Sequence, residues 1–243
     1  MKLVFLGTRG YIDARSPRHW RHTATLVVHR GRRVLLDCGE DWRGRLASIA
    51  PHAIVITHAH PDHARGLDRG VPCPVYATEE TWKGLTNYPI ESSKRCVLAP
   101  RRVARIGGIH FEAFPVAHST RAPAVGYRIE AGRIAIFYVP DVIAIPDRSA
   151  ALAGIRLYVG DGASPVRPIV RRDRSGALVG HTTIRDQLDW CARDGVARMI
   201  VTHCGTSIVA GDERVLGARL RRMGRERGVE VQIARDGDEL QLR

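Results

Sequence analysis

A chain of 243 residues with 44% hydrophobic content is long enough to bury a sizeable core. No segment approaches the roughly 18 consecutive apolar residues of a helical membrane span, so the sequence argues against a membrane protein. Thirty-eight lysines and arginines against 25 acids leave a formal charge of +13, which points to a polyanionic partner or substrate.

The amino-terminal run Met1 to Gly7 is too short for the apolar part of a signal peptide and reads as a first strand, Lys2 to Leu6. Five scattered cysteines (38, 73, 96, 191, 204), none in a Cys-x-x-Cys pair, argue for reduced thiols and a cytoplasmic location. Strand-like runs follow at Ala24 to His29 and Arg33 to Asp37, and Asp41 reads as the cap of a short helix ending at Pro51.

Next comes Ala53-Ile54-Val55-Ile56, an apolar run that empties into Thr57-His58-Ala59-His60-Pro61-Asp62-His63. A short buried strand followed by three histidines and an aspartate within six residues, then a helical turn, is how a metal site is hung on a rigid edge. Nitrogen and oxygen donors without a thiolate suit zinc and also admit manganese or iron. The plainer reading, a polar turn, requires three residues of a scarce type to cluster by accident.

A strand (Pro74 to Ala77) and a helix capped by Thr78 come next. From Arg95 to Tyr138 the pattern is all strand: Val97-Leu98, Ile109 to Phe114, Val125 to Glu130 and Arg133 to Tyr138. A helical piece over Arg148 to Ala153 leads to a strand at Arg156 to Val159. An amphipathic helix after His181 carries Ile184, Leu188 and Cys191 on one face, and a strand at Arg198 to Val201 follows it. Asp212 caps a last helix running to about Arg227, with Val215, Leu216, Leu220 and Met223 as its apolar positions and arginines on a solvated face. Two strands, Glu230 to Ile233 and Glu239 to Leu242, close the chain. With no linker or repeat, this is the pattern of one α/β domain over residues 1–243.

Further donors stand just past strand-like runs: His118 after Ile109 to Val116, Asp141 after Arg133 to Val139, and His203 after Ala197 to Thr202. A lone histidine in such a place is usually structural. Beside the His-x-His-x-Asp-His loop these residues become candidate ligands, because that loop cannot complete two metal shells by itself.

These residues, with Gly7-Thr8, Leu36-Asp37-Cys38-Gly39-Glu40, Gly126-Tyr127-Arg128 and His181-Thr182-Thr183, make the chain similar to the metallo-β-lactamase fold superfamily. Within it the chain resembles the tRNase Z-like phosphodiesterases over nearly its whole length. The resemblance implies an αββα four-layer sandwich with a dinuclear centre, most simply zinc. His58, His60 and His118 would hold one metal, Asp62, His63 and His203 the other, and Asp141 would bridge them. His181 matches a histidine that, in tRNase Z-like enzymes and in the cyclic phosphodiesterase of phosphonate breakdown, assists the leaving oxygen. The bland alternative makes it incidental to a Thr182 or Thr183 helix cap. Asp37 is expected to support a ligand histidine, and Asp161 either orients His181 or ends an ordinary turn.

Two metals about 3.5–4 Å apart would supply a bridging hydroxide at neutral pH, with Asp62 orienting it and His181 protonating the leaving group. The implied function is hydrolysis of phosphodiesters in nucleic-acid ends, small nucleotides or cyclic phosphates. Hydrolysis of a carboxylic ester, lactone or thioester on the same metal core is the alternative, and a basic nucleic-acid-binding protein with a structural metal is a second. Tyr138-Val139-Pro140-Asp141-Val142 and Cys204-Gly205-Thr206 depart from the tRNA-processing pattern, and no long Gly/basic insertion resembles the tRNA-grasping arm. The segments Thr81 to Arg102 and Pro165 to Arg174 mix or concentrate cations and are candidates for substrate contact. A homodimer is expected only by analogy with relatives.

Overall fold

The computed structural model describes residues 1–243. In chain order the first elements are β1 (Lys2–Gly7), β2 (Ala24–His29), β3 (Arg32–Leu36), α1 (Leu46–Ile49), β4 (Ala53–Val55), α2 (Pro61–Ala64), β5 (Val75–Ala77), α3 (Glu79–Gly84) and β6 (Arg95–Val97). An antiparallel meander follows: β7 (Val103–Ile106), β8 (Ile109–Val116), β9 (Ala124–Ala131) and β10 (Ile134–Val139). Then come α4 (Arg148–Leu152), β11 (Leu157–Asp161), β12 (Ile169–Arg172), β13 (Leu178–His181) and α5 (Ile184–Arg193). The chain closes with β14 (Arg198–Thr202), α6 (Thr206–Val209), α7 (Glu213–Arg225), β15 (Glu230–Ile233) and β16 (Glu239–Gln241).

The strands form two seven-stranded sheets, β16-β1-β2-β3-β4-β5-β6 and β15-β14-β11-β10-β9-β8-β7, and β12 pairs only with β13. Leu3, Phe5, Phe111, Tyr127, Ile129 and Leu157 belong to the apolar layer between the sheets. On the far side of the first sheet, Trp42, Leu46 and Leu67 pack against Leu35, Ile54 and Val75. Beyond the second sheet, Leu152, Leu188 and Leu220 from three helices cover Phe137, Tyr158 and Met199. Each sheet thus has one face on its partner and one face under helices, the four-layer arrangement the resemblance implies. No helix is long and apolar enough to cross a membrane.

Parallel order positions the site. Strands β10, β11 and β14 run side by side, with Val139 opposite Gly160 and Gly160 opposite Val201. Strands β3 and β4 are likewise parallel, with Leu36 opposite Val55. Parallel neighbours end at one edge, so the residues just after Leu36, Val55, Val139 and Thr202 emerge together.

Some local expectations change. Asp41 caps no helix: its carboxylate accepts from Arg9 Nη2 at 2.7 Å, from Arg15 Nη1 at 3.1 Å and from the His22 N–H at 2.9 Å. The buried Arg9 also donates to the carbonyls of Trp20 and Ile12, so this acid ties down the loop between β1 and β2. Val97 lies in β6, which completes the first sheet and is not part of the meander, and β7 had no clear signal among its arginines. Val215 is exposed; Leu220 and Met223 are the positions that α7 buries.

Candidate metal centre

The donor loop is held by Asp37. That residue follows β3 with φ of 57°, a left-handed conformation uncommon for a residue with a side chain. Its carboxylate accepts from the Thr57 N–H at 2.8 Å, the Thr57 hydroxyl at 3.0 Å and His63 Nδ1 at 2.9 Å. The Thr57 hydroxyl, its own proton given to Asp37, accepts from His58 Nδ1 at 3.0 Å. Both histidines are thereby oriented with Nε2 aimed inward, the nitrogen each would offer to a metal. His60 is the residue before the short helix α2, and Pro61 at the first helical position starts the turn that presents Asp62 and His63. Gly39 is required behind them: a Cβ there would lie 2.1 Å from the Asp62 carbonyl oxygen.

The second sheet supplies the rest from strand ends. His118 follows β8, and its Nδ1 donates to the Gly180 carbonyl at 2.9 Å, again freeing Nε2. Asp141 follows β10. His203 follows β14 with φ of 50°, a second left-handed residue at the same edge, where backbone strain is commonly stored in functional sites.

Asp141 lies at the middle. Its Oδ2 is 3.1 Å from His58 Nε2, 3.0 Å from His63 Nε2 and 3.5 Å from His118 Nε2, and its Oδ1 is 2.8 Å from His203 Nδ1. Asp62 Oδ2 is 2.9 Å from His203 Nε2. His60 Nδ1 faces His58 Nε2 at 3.0 Å and His118 Nε2 at 3.3 Å. Two donor groups result, His58, His60, His118 and Asp141 on one side and Asp62, His63, Asp141 and His203 on the other, with the ligand atoms of each within 4.8 Å of one another. A third grouping, Asp141, Asp161, His181 and His203, overlaps them. Within that third group His181 Nδ1 is already engaged by Asp161 Oδ2 at 2.8 Å.

This donor set fits a pair of divalent cations. His63 Nε2, Asp141 Oδ1 and His203 Nδ1 are buried polar atoms that lie close to one another but make no well-aligned hydrogen bond. Leaving such atoms unpaired costs about 1–3 kcal/mol each, which a cation would offset. Burial depresses the proton affinity of His58, and it pushes His60 down to about 4, so both favour the neutral form that binds metal. Burial also disfavours charge on His63 and His203, but Asp62, Asp141 and Asp37 around the first and Asp141, Asp161 and Asp62 around the second raise both well above the usual value. Carboxylates in this pocket therefore hold positive charge at the place the second cation would take.

Asp161 resolves the two readings of its turn. Its Oδ2 accepts from His181 Nδ1 and, at 3.1 Å, from the Val142 N–H, while Oδ1 accepts from the Ala163 N–H at 2.8 Å. Gln187 of α5 clamps its backbone from both sides at 2.8 Å. Thr183 caps α5 in a reciprocal capping box with Asp186, so the cap exists and His181 is not part of it. The His181 ring stacks over His203 at 5.5 Å between centroids and meets His118 edge-on at 4.9 Å. Burial opposes a charge on His181, but Asp161 outweighs it and raises its proton affinity.

Two cavities open from the centre. One of about 590 Å³ is lined by Asp62, Asp141 and His203 together with Tyr11, Ile12 and Ser164. The other, about 640 Å³, runs from His60, His118 and His181 along β12 and β13. Sequence reasoning did not find the Gly10–Ile12 wall, which carries no motif. Segment 165–174, a candidate for substrate contact, does bring Arg171, Arg172 and Arg174 to the second cavity. The hairpin that carries them had no expectation, although Ile169-Val170 and Leu178-Val179 flank Asp173-Arg174-Ser175-Gly176, a hairpin pattern. Segment 81–102 lines neither cavity. Trp82 donates to the Cys96 carbonyl at 3.1 Å, and Arg101 pairs with Glu112 and Asp147 away from the centre.

Comparison with known proteins agrees with this geometry. The family described as Beta-lactamase superfamily domain matches residues 32–204. A ribonuclease Z from Methanococcus maripaludis strain C6 is 30% identical over 154 residues, covering 53% of this chain and 49% of that protein. The match thus spans about half of that relative's length. Zn²⁺-bound PqqB from Methylobacterium extorquens superposes with a TM-score of 0.73 at 19% identity, covering 100% of both chains. A diphosphatase from the PhnP family gives 0.72 at 22% identity, covering 98% of this chain and 96% of that one. Both structural likenesses speak for the fold alone. Fold and donor set together support metal-dependent hydrolase activity, and the extent of the family match makes this chain a member of the metallo-β-lactamase superfamily.

Proposed function

We propose that the protein is a dinuclear metal-dependent phosphodiesterase acting on nucleic-acid ends, small nucleotides or cyclic phosphates. The observation that carries this reading is the Asp161–His181 pair beside the donor groups. An alkoxide leaving from phosphorus gains from a positioned proton donor, whereas hydrolysis of an activated ester or lactone has little use for one. The ribonuclease Z relative is consistent with this substrate class.

His58, His60 and His118 would hold one cation, Asp62, His63 and His203 the other, with Asp141 shared. Zinc suits five imidazoles and two carboxylates, and manganese or iron would also be accepted. When bound, the two cations supply Lewis acidity toward the phosphoryl oxygens and acidify water. The chain's own residues do the rest. Asp37, Thr57 and Gly180 hold His63, His58 and His118 in one tautomer and one orientation. Asp62 accepts the proton of the attacking water. His181, with Nδ1–H given to Asp161, carries a second proton on Nε2 and delivers it to the departing oxygen.

The test compares bis(p-nitrophenyl) phosphate with a p-nitrophenyl ester and a lactone, using metal-reconstituted wild type and Asp62→Ala. Diester turnover that collapses in the variant is expected. Ester or lactone turnover without diester turnover would contradict the proposal and favour the carbonyl hydrolase.

A further inference from the structure

Beyond β11 the chain leaves the sheet, makes the β12–β13 hairpin and returns at His181. This arm is not loose surface, because it is tied to the His118 loop at both ends. At its root, the Gly180 N–H donates to the His118 carbonyl at 2.8 Å while His118 Nδ1 donates to the Gly180 carbonyl at 2.9 Å. Gly180 has φ of 126°, and a Cβ there would lie 1.8 Å from the Ile169 carbonyl oxygen, so only glycine lets the strands meet at that point. At its tip, Thr120 Oγ1 donates to Asp173 Oδ2. The 640 Å³ cavity lies between these ties.

Register sets what the arm presents. Ile169 stands opposite His181, and Arg171 opposite Val179. Two residues advance a strand by roughly 6.6 Å on the same face, so Arg171 follows Ile169 outward from the centre. Arg121, Arg172 and Arg174 line the same cavity. Asp173 is its one acid, and that carboxylate is committed to Thr120, to the N–H and hydroxyl of Ser175 and to the Ala177 N–H. None of the four arginines has a carboxylate partner. Elsewhere Arg9, Arg101, Arg148, Arg227 and Arg235 are paired with acids, while others, such as Arg214 and Arg221 on α7, are not. What sets the arm apart is that its four unpaired arginines line one cavity without a free acid. Four unneutralised guanidiniums around one cavity, beginning at the histidine that meets the leaving oxygen, are an anion site in search of its anion.

We infer that the β12–β13 arm is a phosphate-binding lip: Arg171 and Arg172, with Arg121 and Arg174, engage a second phosphate on the leaving side of the scissile bond. This rests on the phosphodiesterase reading for the scissile bond, but the anion site stands on its own geometry. Its ligand is a further phosphate group, carried either by a nucleic-acid strand or by a small nucleotide with an additional phosphate. A phosphate two or more bonds removed from the reacting centre gains nothing from the metals, so any preference for it must come from the arm.

Two measurements test it on the intact protein. The first is kcat/KM for the dinucleotide TpT beside pTpT, TpTp and (dT)8. One of the two phosphorylated dinucleotides should exceed TpT by about tenfold or more, as expected for a charge-assisted bidentate contact. Arg171→Gln/Arg172→Gln should erase that gain, lowering turnover of the phosphorylated form far more than that of TpT. Further gain with (dT)8 identifies a strand as the source, and a plateau at one added phosphate identifies a small nucleotide. The second is binding of fluorescent (dT)8 to metal-free protein as a function of salt. The slope of log K against log[salt] should shrink by about 0.7 for each phosphate that the double variant no longer engages. Arg171→Lys/Arg172→Lys should keep the slope, and Arg214→Gln/Arg221→Gln on the outer face of α7 should leave it unchanged. Equal turnover of TpT and its phosphorylated forms, or a slope that responds to the α7 variant and not to the arm, overturns the inference. Absence of any diester turnover with an arm-dependent slope would remove the phosphodiesterase reading and leave the anion site.

Discussion

The two halves of the metal centre are built on opposite plans. His58, His60, Asp62 and His63 arrive in six consecutive residues, on a loop clamped by the single carboxylate of Asp37. His118, Asp141, His181 and His203 arrive one at a time at the ends of β8, β10, β13 and β14. The first half is contiguous in sequence and leans on one residue of the neighbouring strand end, Asp37. The second needs separate strands brought together, with parallel β10, β11 and β14 aligning Asp141 and His203 (Tyr138 opposite Val159 and Val159 opposite Ile200). One half can be read from spacing, and the other exists only once the sheet has formed.

The residue that joins the halves should be the most sensitive. Asp141→Asn is expected to lower diester turnover by more than about 10³-fold and to leave fewer than two metals per chain by elemental analysis. Two bound metals with near-normal turnover would mean that the halves work independently. Next in size is His181→Ala, which should lose about 10²–10⁴-fold on an unactivated diester with metal content unchanged. Loss of metal in that variant would move His181 from the chemistry to the ligand set.

The two buried carboxylates behind the histidines sharpen the contrast. Asp37→Asn should weaken metal affinity about 10–100-fold, because it releases His63 and Thr57 together. Asp161→Asn should spare metal affinity and lower kcat, because its histidine faces the leaving group. Metal titration followed by steady-state kinetics separates these outcomes, and identical behaviour of the two would erase the distinction. The smallest effect is on stability. Gly39→Ala, forced against the Asp62 carbonyl, should cost about 1–3 kcal/mol in a thermal melt of metal-free protein. Excess zinc should recover part of that loss by mass action. An unshifted melting temperature would show that the loop yields.

The sequence made this contrast partly visible in advance. The His-x-His-x-Asp-His loop and the donors after each strand are local patterns, and the structure brings all seven expected donors together. Many sheet strands, such as β1, β4, β10 and β14, were legible as short apolar runs, and the αββα layering was what the family resemblance implied. Asp41 misled because an acid before a helical stretch looks like a cap, and only the folded chain shows the buried Arg9 that claims it. The β12–β13 hairpin was hidden by its arginines, which drew attention to charge and away from the alternation around Asp173-Arg174-Ser175-Gly176. Gly10–Ile12 reaches the site only through the pinned loop between β1 and β2, a contact with no sequence signal.

The most direct test of the account is the leaving-group dependence of hydrolysis for a series of aryl and alkyl phosphodiesters, measured for zinc-loaded wild type and His181→Ala. If His181 protonates the departing oxygen, wild-type rates should vary shallowly with leaving-group pKa, and the variant should fall away steeply as the leaving group becomes more basic. The two lines should meet near p-nitrophenolate, which needs no proton. Parallel lines, with a constant offset across the series, would contradict a proton-donating His181 and with it the phosphodiesterase mechanism proposed for this centre.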